Sequence, residues 1–153
     1  MNRIEVVQRY VDEMLLNVPD ADWRKWGYTH LYGVAQSCAM IALKRGVDAE
    51  LAVVAGLLHD VATYARMDGT GHARHGAAMA RVILADMGVF SPAEMDGVCV
   101  AIGNHSGKAG VHAPLDEALK DADVLQHWLS DPLQEPVEKE KPRLAKLRQE
   151  FGF

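Results

Sequence analysis

Residues 51–62 have the sequence Leu-Ala-Val-Val-Ala-Gly-Leu-Leu-His-Asp-Val-Ala, in which eight uncharged residues lead directly into His59 and Asp60. Asp48, just before this run, is a residue type that caps helix N-termini. A helix that is apolar on nearly every side belongs at the centre of a bundle. Because an unpaired charge is costly in such surroundings, His59 and Asp60 need a binding partner there. The stretch therefore predicts a buried central helix that ends in two potential metal ligands.

Apolar residues recur at helical spacing along most of the chain, and Gly46 and Gly88 are placed to end helices. No segment shows the strict alternation of a strand. The sequence therefore predicts an all-α, compact single-domain bundle of about six or seven helices over residues 1–153. A loop is expected at 65–73, and helices are expected at about 4–15, 29–45, 48–60, 74–87, 91–105, 115–129 and, at the C-terminus, 138–151.

Composition argues against several classes of function. The chain is 49% hydrophobic and 24% charged, as in ordinary globular proteins, and its net charge of −5 gives no general attraction to nucleic acid or to anionic membranes. No run approaches the ~20 apolar residues that span a bilayer, and the N-terminus lacks the apolar core of a signal peptide. We therefore expect a cytoplasmic protein with no nucleic-acid polymer or membrane as partner. Whether it forms a homodimer stays open.

Histidines occupy matching positions in two predicted helical hairpins. His30 and His59 are 29 residues apart, with a midpoint close to the break at Gly46, and His75 and His105 are 30 apart, with a midpoint in the turn after Gly88. In an antiparallel hairpin, residues equidistant from the turn lie level with each other. Each pair is therefore expected near the open end of its hairpin, and both pairs are expected to face one cavity.

An ordered series of His30, His59-Asp60 within Leu-Leu-His-Asp-Val, and residues 120–125 (Lys-Asp-Ala-Asp-Val-Leu) lies on these helices. The pattern H…HD…D resembles that of the HD-domain superfamily of metal-dependent phosphohydrolases, over about residues 28–130. The resemblance implies that a metal is held by His30, His59, Asp60 and the later aspartate. Asp121 and Asp123 lie about 200° apart on a helix, and similarity to the family's Ala-Asp-x-Leu segment favours Asp123.

The other candidate site residues lie in the second hairpin and in the loops. Imidazole and carboxylate ligands suit Mn, Fe, Ni, Co or Zn, and one or two divalent ions are expected. His75 and His105 have three interpretations: ligands of a second metal, general acid or phosphate-binding groups, or structural residues. Asp60 is expected to orient the attacking water as well as to bind metal. The candidates for phosphate binding are Arg66, Arg74 and Lys108.

The resemblance implies a metal-dependent phosphohydrolase acting on a small phosphorylated metabolite, with a nucleotide as the first expectation. Residues 61–64 (Val-Ala-Thr-Tyr) stand where the ppGpp hydrolases of the family have an acidic pair, which argues against that activity. The Gly-Tyr-Pro segment of the cyclic-di-GMP phosphodiesterases is also missing. Two alternatives stay open: a di-iron oxygenase of the HD type, and a metal-binding sensor or binding module without turnover.

Overall fold

Polar caps and glycines divide the chain into eight α-helices. The computed structural model describes residues 1–153 and contains no strand, which confirms the predicted all-α class. The helices are α1 (Arg3–Leu16), α2 (Ala21–Arg45), α3 (Ala49–Leu58), α4 (Val61–Arg66), α5 (His72–Met87), α6 (Pro92–Asn104), α7 (Pro114–Ser130) and α8 (Lys141–Phe151).

Most helix boundaries follow the signals in the sequence. Gly46 and Gly88 adopt the left-handed conformation, with φ of 69° and 64°, and end α2 and α5. Ser91 and Glu94 form a capping box at the start of α6. Helix α2 begins eight residues before its predicted start, because Asp20 accepts hydrogen bonds from the first backbone amides and caps the helix there.

The predicted central helix is divided at the His-Asp pair. Helix α3 ends at Leu58 and the short helix α4 begins at Val61, so that His59 and Asp60 form the junction between them. The backbone of Asp60, with φ of −118° and ψ of 16°, departs from helical geometry. This division explains why the structure has one helix more than the six or seven expected. It also leaves a connection at 67–71 that is shorter than the predicted loop.

Helices α2, α3 and α7 lie at the centre of the fold and contact one another. Gly56 allows α3 to approach the backbone of α2, since a Cβ atom at this position would lie only 2.7 Å from Cα of Ala35. The core around this contact includes the fully buried side chains of Leu31, Ile41 and Leu125. His59 and Asp60, which directly follow α3, are therefore positioned by a closely packed helix.

The hairpin of α5 and α6 packs over the α3–α4 junction. Gly76 of α5 lies against the backbone of His59, because a Cβ atom on this glycine would come within 2.4 Å of the His59 carbonyl oxygen. Helix α1 covers α3 on another side, where Arg3 pairs with Glu50 and Glu94. Helix α8 lies on α7. None of the eight helices combines the length and the apolar character that crossing a membrane requires.

Candidate metal centre

Two histidines and two aspartates converge at the α3–α4 junction. Nε2 of His30, from α2, lies 3.0 Å from Nε2 of His59, 3.4 Å from Oδ2 of Asp60 and 3.5 Å from Oδ1 of Asp123 on α7. Nε2 of His59 lies 3.5 Å from Oδ2 of Asp60 and 3.8 Å from Oδ1 of Asp123. The structure therefore brings together the four residues that the sequence proposed as ligands. Asp121 is not among them, because it pairs with Arg45 at 2.8 Å on another side of α7.

The hydrogen bonds made by Nδ1 of His30 and of His59 orient the two rings, with Nε2 towards the aspartates. Nδ1 of His59 donates to the carbonyl oxygen of Gly56 at 2.7 Å, and Nδ1 of His30 lies 2.7 Å from Oε1 of Gln126. A neutral imidazole has one donor and one acceptor nitrogen, so both Nε2 lone pairs point into the group. Lone pairs and carboxylates at these distances repel one another unless a proton or a metal cation lies among them. Outer hydrogen bonds of this kind orient histidines that bind metals, and the residues fit a divalent cation.

The protonation states of three of these four side chains suit a metal, whereas at His30 burial is outweighed by Asp60 and Asp123, which raise its pKa. Burial, together with the neighbouring His30 and His105, lowers the pKa of His59 to about 4 against the opposing effect of Asp60. Burial opposes ionisation of Asp60, but the surrounding imidazoles outweigh this effect and hold the pKa of Asp60 below its usual range. Asp123 is likewise held below its usual pKa, against burial, chiefly by Lys108. Near neutral pH the buried histidine is therefore neutral and both carboxylates are ionised, as metal binding requires.

A second group of potential ligands shares Asp60 with the first. Oδ1 of Asp60 lies 3.6 Å from Nε2 of His105, and the rings of His105 and His72 are 4.9 Å apart. These three residues offer ligand atoms within 4.8 Å of one another. Nδ1 of His105 donates to the Ile102 carbonyl oxygen at 2.6 Å, which turns Nε2 towards Asp60. Oδ1 of Asp60 is buried and has no hydrogen-bond partner, so this acceptor is available to a second cation or to a bound ligand.

His75 does not join this group, which corrects the pairing of His75 with His105. Its ring lies beside Gly71 and does not line the cavity in front of the aspartates. His72, the first residue of α5 and three positions earlier, takes the place expected for His75. Residues three apart lie on one side of a helix, one turn apart in height. The spacing thus identified the correct side of α5 but not the correct turn.

A family model described as an HD domain matches residues 27–128, which include every member of the two groups. The chain belongs to the HD-domain family. A crystal structure described as a predicted HD superfamily hydrolase, from an uncultured Thermotogales bacterium, is similar in fold to this HD domain. Its TM-score is 0.65 at 21% sequence identity, and the match covers 96% of this chain and 90% of that one. None of the curated proteins matches the chain.

A cavity of about 250 Å³ opens in front of the aspartates of this HD domain, and no hydrophobic residue lines it. Of the three cationic residues proposed for phosphate binding, only Lys108 lines this cavity. Arg66 is exposed and pairs with Asp68 at 3.2 Å, and Arg74 is exposed on α5. Arg74 follows His72 by two positions, about 200° around the helix, and so faces away from the site. The lining residues are Asp60, Thr63, Gly69, His72, His105, Ser106, Lys108, Asp123, His127, Lys139 and Glu140.

Lys108 has a different role from the one expected, because its ammonium group is already bound. Nζ of Lys108 donates to Oδ2 of Asp123 at 2.6 Å and to the carbonyl oxygen of His105 at 2.8 Å. Its side chain is only 3% exposed. Lys108 therefore neutralises and orients one oxygen of Asp123, and its cation is not free for a phosphate group.

Sequence reasoning missed several residues that border the site. Thr63 has a buried hydroxyl with no hydrogen-bond partner, and it lines the polar cavity. Gln126 holds His30, and Glu140 holds His127, whose Nε2 lies 3.4 Å from Oδ1 of Asp123. His127 itself is a possible ligand on sequence grounds, because it lies one helical turn after Asp123, and the same spacing places Gln126 three positions after Asp123 on α7. Nothing in the sequence indicated Thr63 or Glu140.

Proposed function

We propose that this HD-domain protein is a metal-dependent phosphohydrolase that acts on a small phosphorylated metabolite. The observation that carries the proposal is the convergence of two imidazole Nε2 atoms and two carboxylates at the edge of a wholly polar cavity. His30, His59, Asp60 and Asp123 would hold the metal. A bound divalent ion lowers the pKa of its water and neutralises charge that develops on a phosphoryl group.

The side chains of the site have distinct tasks in this proposal. Asp60 would help to hold the metal, and its Oδ1, which has no hydrogen-bond partner, would accept a hydrogen bond from the attacking water. Lys108 keeps Asp123 ionised and fixed, since it contacts the carboxylate oxygen opposite the one that faces the histidines. His72, His105 and Thr63 line the cavity and would contact phosphate oxygens or the leaving group.

The shape of the surroundings supports a nucleotide as the substrate to test first. The polar cavity suits a phosphate group but offers no apolar surface for a base. A neighbouring cavity of about 410 Å³ shares His127, Lys139 and Glu140 with it and contains Val124 and Trp128. Aromatic and apolar side chains of this kind bind the flat faces of bases. A nucleotide would place its phosphate in the first cavity and its base towards the second.

A metal-supplemented screen tests the proposed activity. The protein is assayed with Mn²⁺, Co²⁺ or Ni²⁺ against nucleotides and sugar phosphates, beside the Asp60→Asn variant. We expect release of phosphate from at least one substrate by the wild-type protein and a loss of at least 10²-fold in Asp60→Asn, because this residue both binds metal and orients water. A rate that is unchanged in Asp60→Asn would contradict the proposal, and metal binding without any turnover would favour the sensor or binding module.

The second ligand group favours one alternative activity, a di-iron oxygenase. Asp60 directs one oxygen to His30 and His59 and the other to His105, so the two groups share a carboxylate. Such an arrangement suits two metal ions as well as one. Iron-specific occupancy at two equivalents, with substrate-dependent oxygen consumption and no phosphate release, would establish the oxygenase in place of the phosphohydrolase.

A further inference from the structure

The first turn of α8 lies outside the residues matched by the HD-domain model, yet it contacts two neighbours of Asp123. Glu140 immediately precedes α8. Arg143 lies three positions after Glu140, on the same side of the helix. Glu140 contacts His127, and Arg143 contacts the backbone of Lys108. Each of these two neighbours in turn lies beside one oxygen of Asp123.

The first route passes through His127. Oε1 of Glu140 lies 3.0 Å from Nδ1 of His127, and Nε2 of the same ring lies 3.4 Å from Oδ1 of Asp123. The His127 ring also stacks on that of His30, with centroids 5.2 Å apart and planes inclined by 11°. The His127 ring is thus held between Glu140 at Nδ1 and Asp123 at Nε2.

The second route passes through Lys108. Nε of Arg143 donates to the carbonyl oxygen of Lys108 at 2.7 Å, and Nη2 donates to that of Gly110 at 2.9 Å. These bonds fix the connection between α6 and α7, which has no regular structure of its own. Nζ of Lys108 then reaches Oδ2 of Asp123 at 2.6 Å. Arg143 therefore controls the backbone from which the Lys108 ammonium group approaches the site.

We propose that Glu140 and Arg143 are positioning residues of the metal centre, which act through His127 and Lys108 to fix the two carboxylate oxygens of Asp123. The inference rests on the proposed metal site and extends it to α8. His127 would in addition offer Nε2 to the metal, since it forms a potential ligand group with His30 and Asp123.

The burial of Glu140 supports a role beyond folding. Its side chain is 7% exposed, and a buried carboxylate is costly unless it is paired. It stands at the N-cap position of α8 but makes no capping hydrogen bond, so it does not serve the helix start. Its side-chain partner is His127, which is itself 45% exposed and borders the cavity. The carboxylate is therefore placed to hold the imidazole.

Titration of Mn²⁺ alone into chelator-treated protein, followed by the EPR signal of free Mn²⁺, tests the proposal. We expect Glu140→Gln and His127→Gln each to weaken Mn²⁺ binding by roughly 10-fold or more, the usual effect of losing an outer partner of a metal ligand. The double variant should be no weaker than His127→Gln, because Glu140 acts through that ring. Arg143→Lys should weaken binding through the second route.

Matched controls separate positioning from general destabilisation. Glu138→Gln makes the same chemical change two residues away, at a carboxylate that is 89% exposed and pairs with Lys141. Arg148→Lys is the control for Arg143→Lys on the exposed side of α8. Both controls should bind Mn²⁺ like the wild type. If Glu140→Gln does not fold, the Mn²⁺ affinity of His127→Gln tests the first route. The half-exposed side chain of His127 can be replaced without opening the core.

The outcomes distinguish this inference from the proposed function. A wild-type protein that binds Mn²⁺, with Glu140→Gln and His127→Gln binding as tightly as Glu138→Gln, overturns the positioning role and leaves the metal site intact. A wild-type protein that binds no Mn²⁺ overturns the metal site and the inference together. Additive effects of Glu140→Gln and His127→Gln would show that Glu140 does not act through His127.

Discussion

The two helical hairpins of the molecule carry similar histidine spacings, but the spacing identified the correct residues in only one of them. In the first hairpin, His30 and His59 meet at 3.0 Å, as their positions about Gly46 predicted. In the second, His105 meets His72 and not His75. The difference arises because α5 begins at His72, beside the junction, whereas His75 lies one turn further along the helix. Spacing about a turn fixes the height of a residue only to within one helical turn.

The largest expected effect of a substitution is at the first hairpin. His59→Ala or Asp60→Ala should abolish tightly bound metal, because each removes a side chain from the centre of the ligand group. Elemental analysis of protein purified without a metal-affinity tag measures the metal content. His75→Ala is the matched control and should retain all of it. Full metal content in Asp60→Ala would show that the group is not the metal site.

The second hairpin gives the next largest effect. His72→Ala should lower the phosphatase rate by roughly 10²–10⁴-fold if His72 donates a proton or contacts phosphate, or lower the metal content from two equivalents towards one if it binds a second ion. His75→Ala should change neither quantity, because its ring lies outside the cavity. Equal effects of the two substitutions, in rate or in metal content, would contradict the assignment of His72 to the site.

The contact between the hairpins predicts a loss of stability. Gly76→Ala should lower the free energy of unfolding by about 1–3 kcal/mol, the usual range for overpacking, because the new methyl group would lie 2.4 Å from the His59 carbonyl oxygen. Urea denaturation of the metal-free protein measures the change. Gly103→Ala is the control in the same hairpin, since its Cβ would find ordinary contact at 3.8 Å from Ala77. A Gly76→Ala protein as stable as this control would place α5 further from the junction.

A further effect of comparable size is expected in the pH dependence of the metal-free protein. His59 has a pKa of about 4 in the fold against 6.5 in the unfolded chain, so only the unfolded state takes up its proton between these values. The free energy of unfolding should therefore fall as the pH is lowered from 6.5 to 4, by about 3 kcal/mol from this residue. His105, whose pKa burial also lowers, adds a fall of the same sign, whereas His30, whose pKa Asp60 and Asp123 raise against burial, contributes with the opposite sign.

Comparison with a His59→Gln variant isolates that contribution. Urea denaturation at pH 7 and at pH 5, in the presence of chelator, should show a shallower pH dependence in the variant, because Gln does not titrate. An equally steep dependence in both proteins would assign the effect to other groups.

The first hairpin was predictable from sequence because its signals are local and agree with one another. The apolar run, the His-Asp pair and Gly46 each constrain the same two helices, and the family pattern selected Asp123 over Asp121. The structure adds a physical reason for that choice, since Asp121 is paired with Arg45 and Arg143. The all-α class followed from the same periodicity.

The remaining parts of the site depend on contacts that no local pattern encodes. The helix break at Asp60 divides a segment in which apolar residues precede and follow the His-Asp pair. Glu140 lies 80 residues from Asp60 in sequence and reaches the site only because α8 packs on α7. From the sequence alone, Lys108 is a candidate for phosphate binding, because the sequence does not show that its ammonium group is bound to Asp123. Long-range packing decides these features.

The most direct test of the metal centre is an anomalous difference map from crystals soaked with Mn²⁺. We expect a peak among Nε2 of His30, Nε2 of His59 and the carboxylates of Asp60 and Asp123. Each Nε2 lies within 4 Å of the other and of both carboxylates. Absence of a peak there, with the ion bound elsewhere and His30 still in contact with His59, would contradict the proposed metal centre.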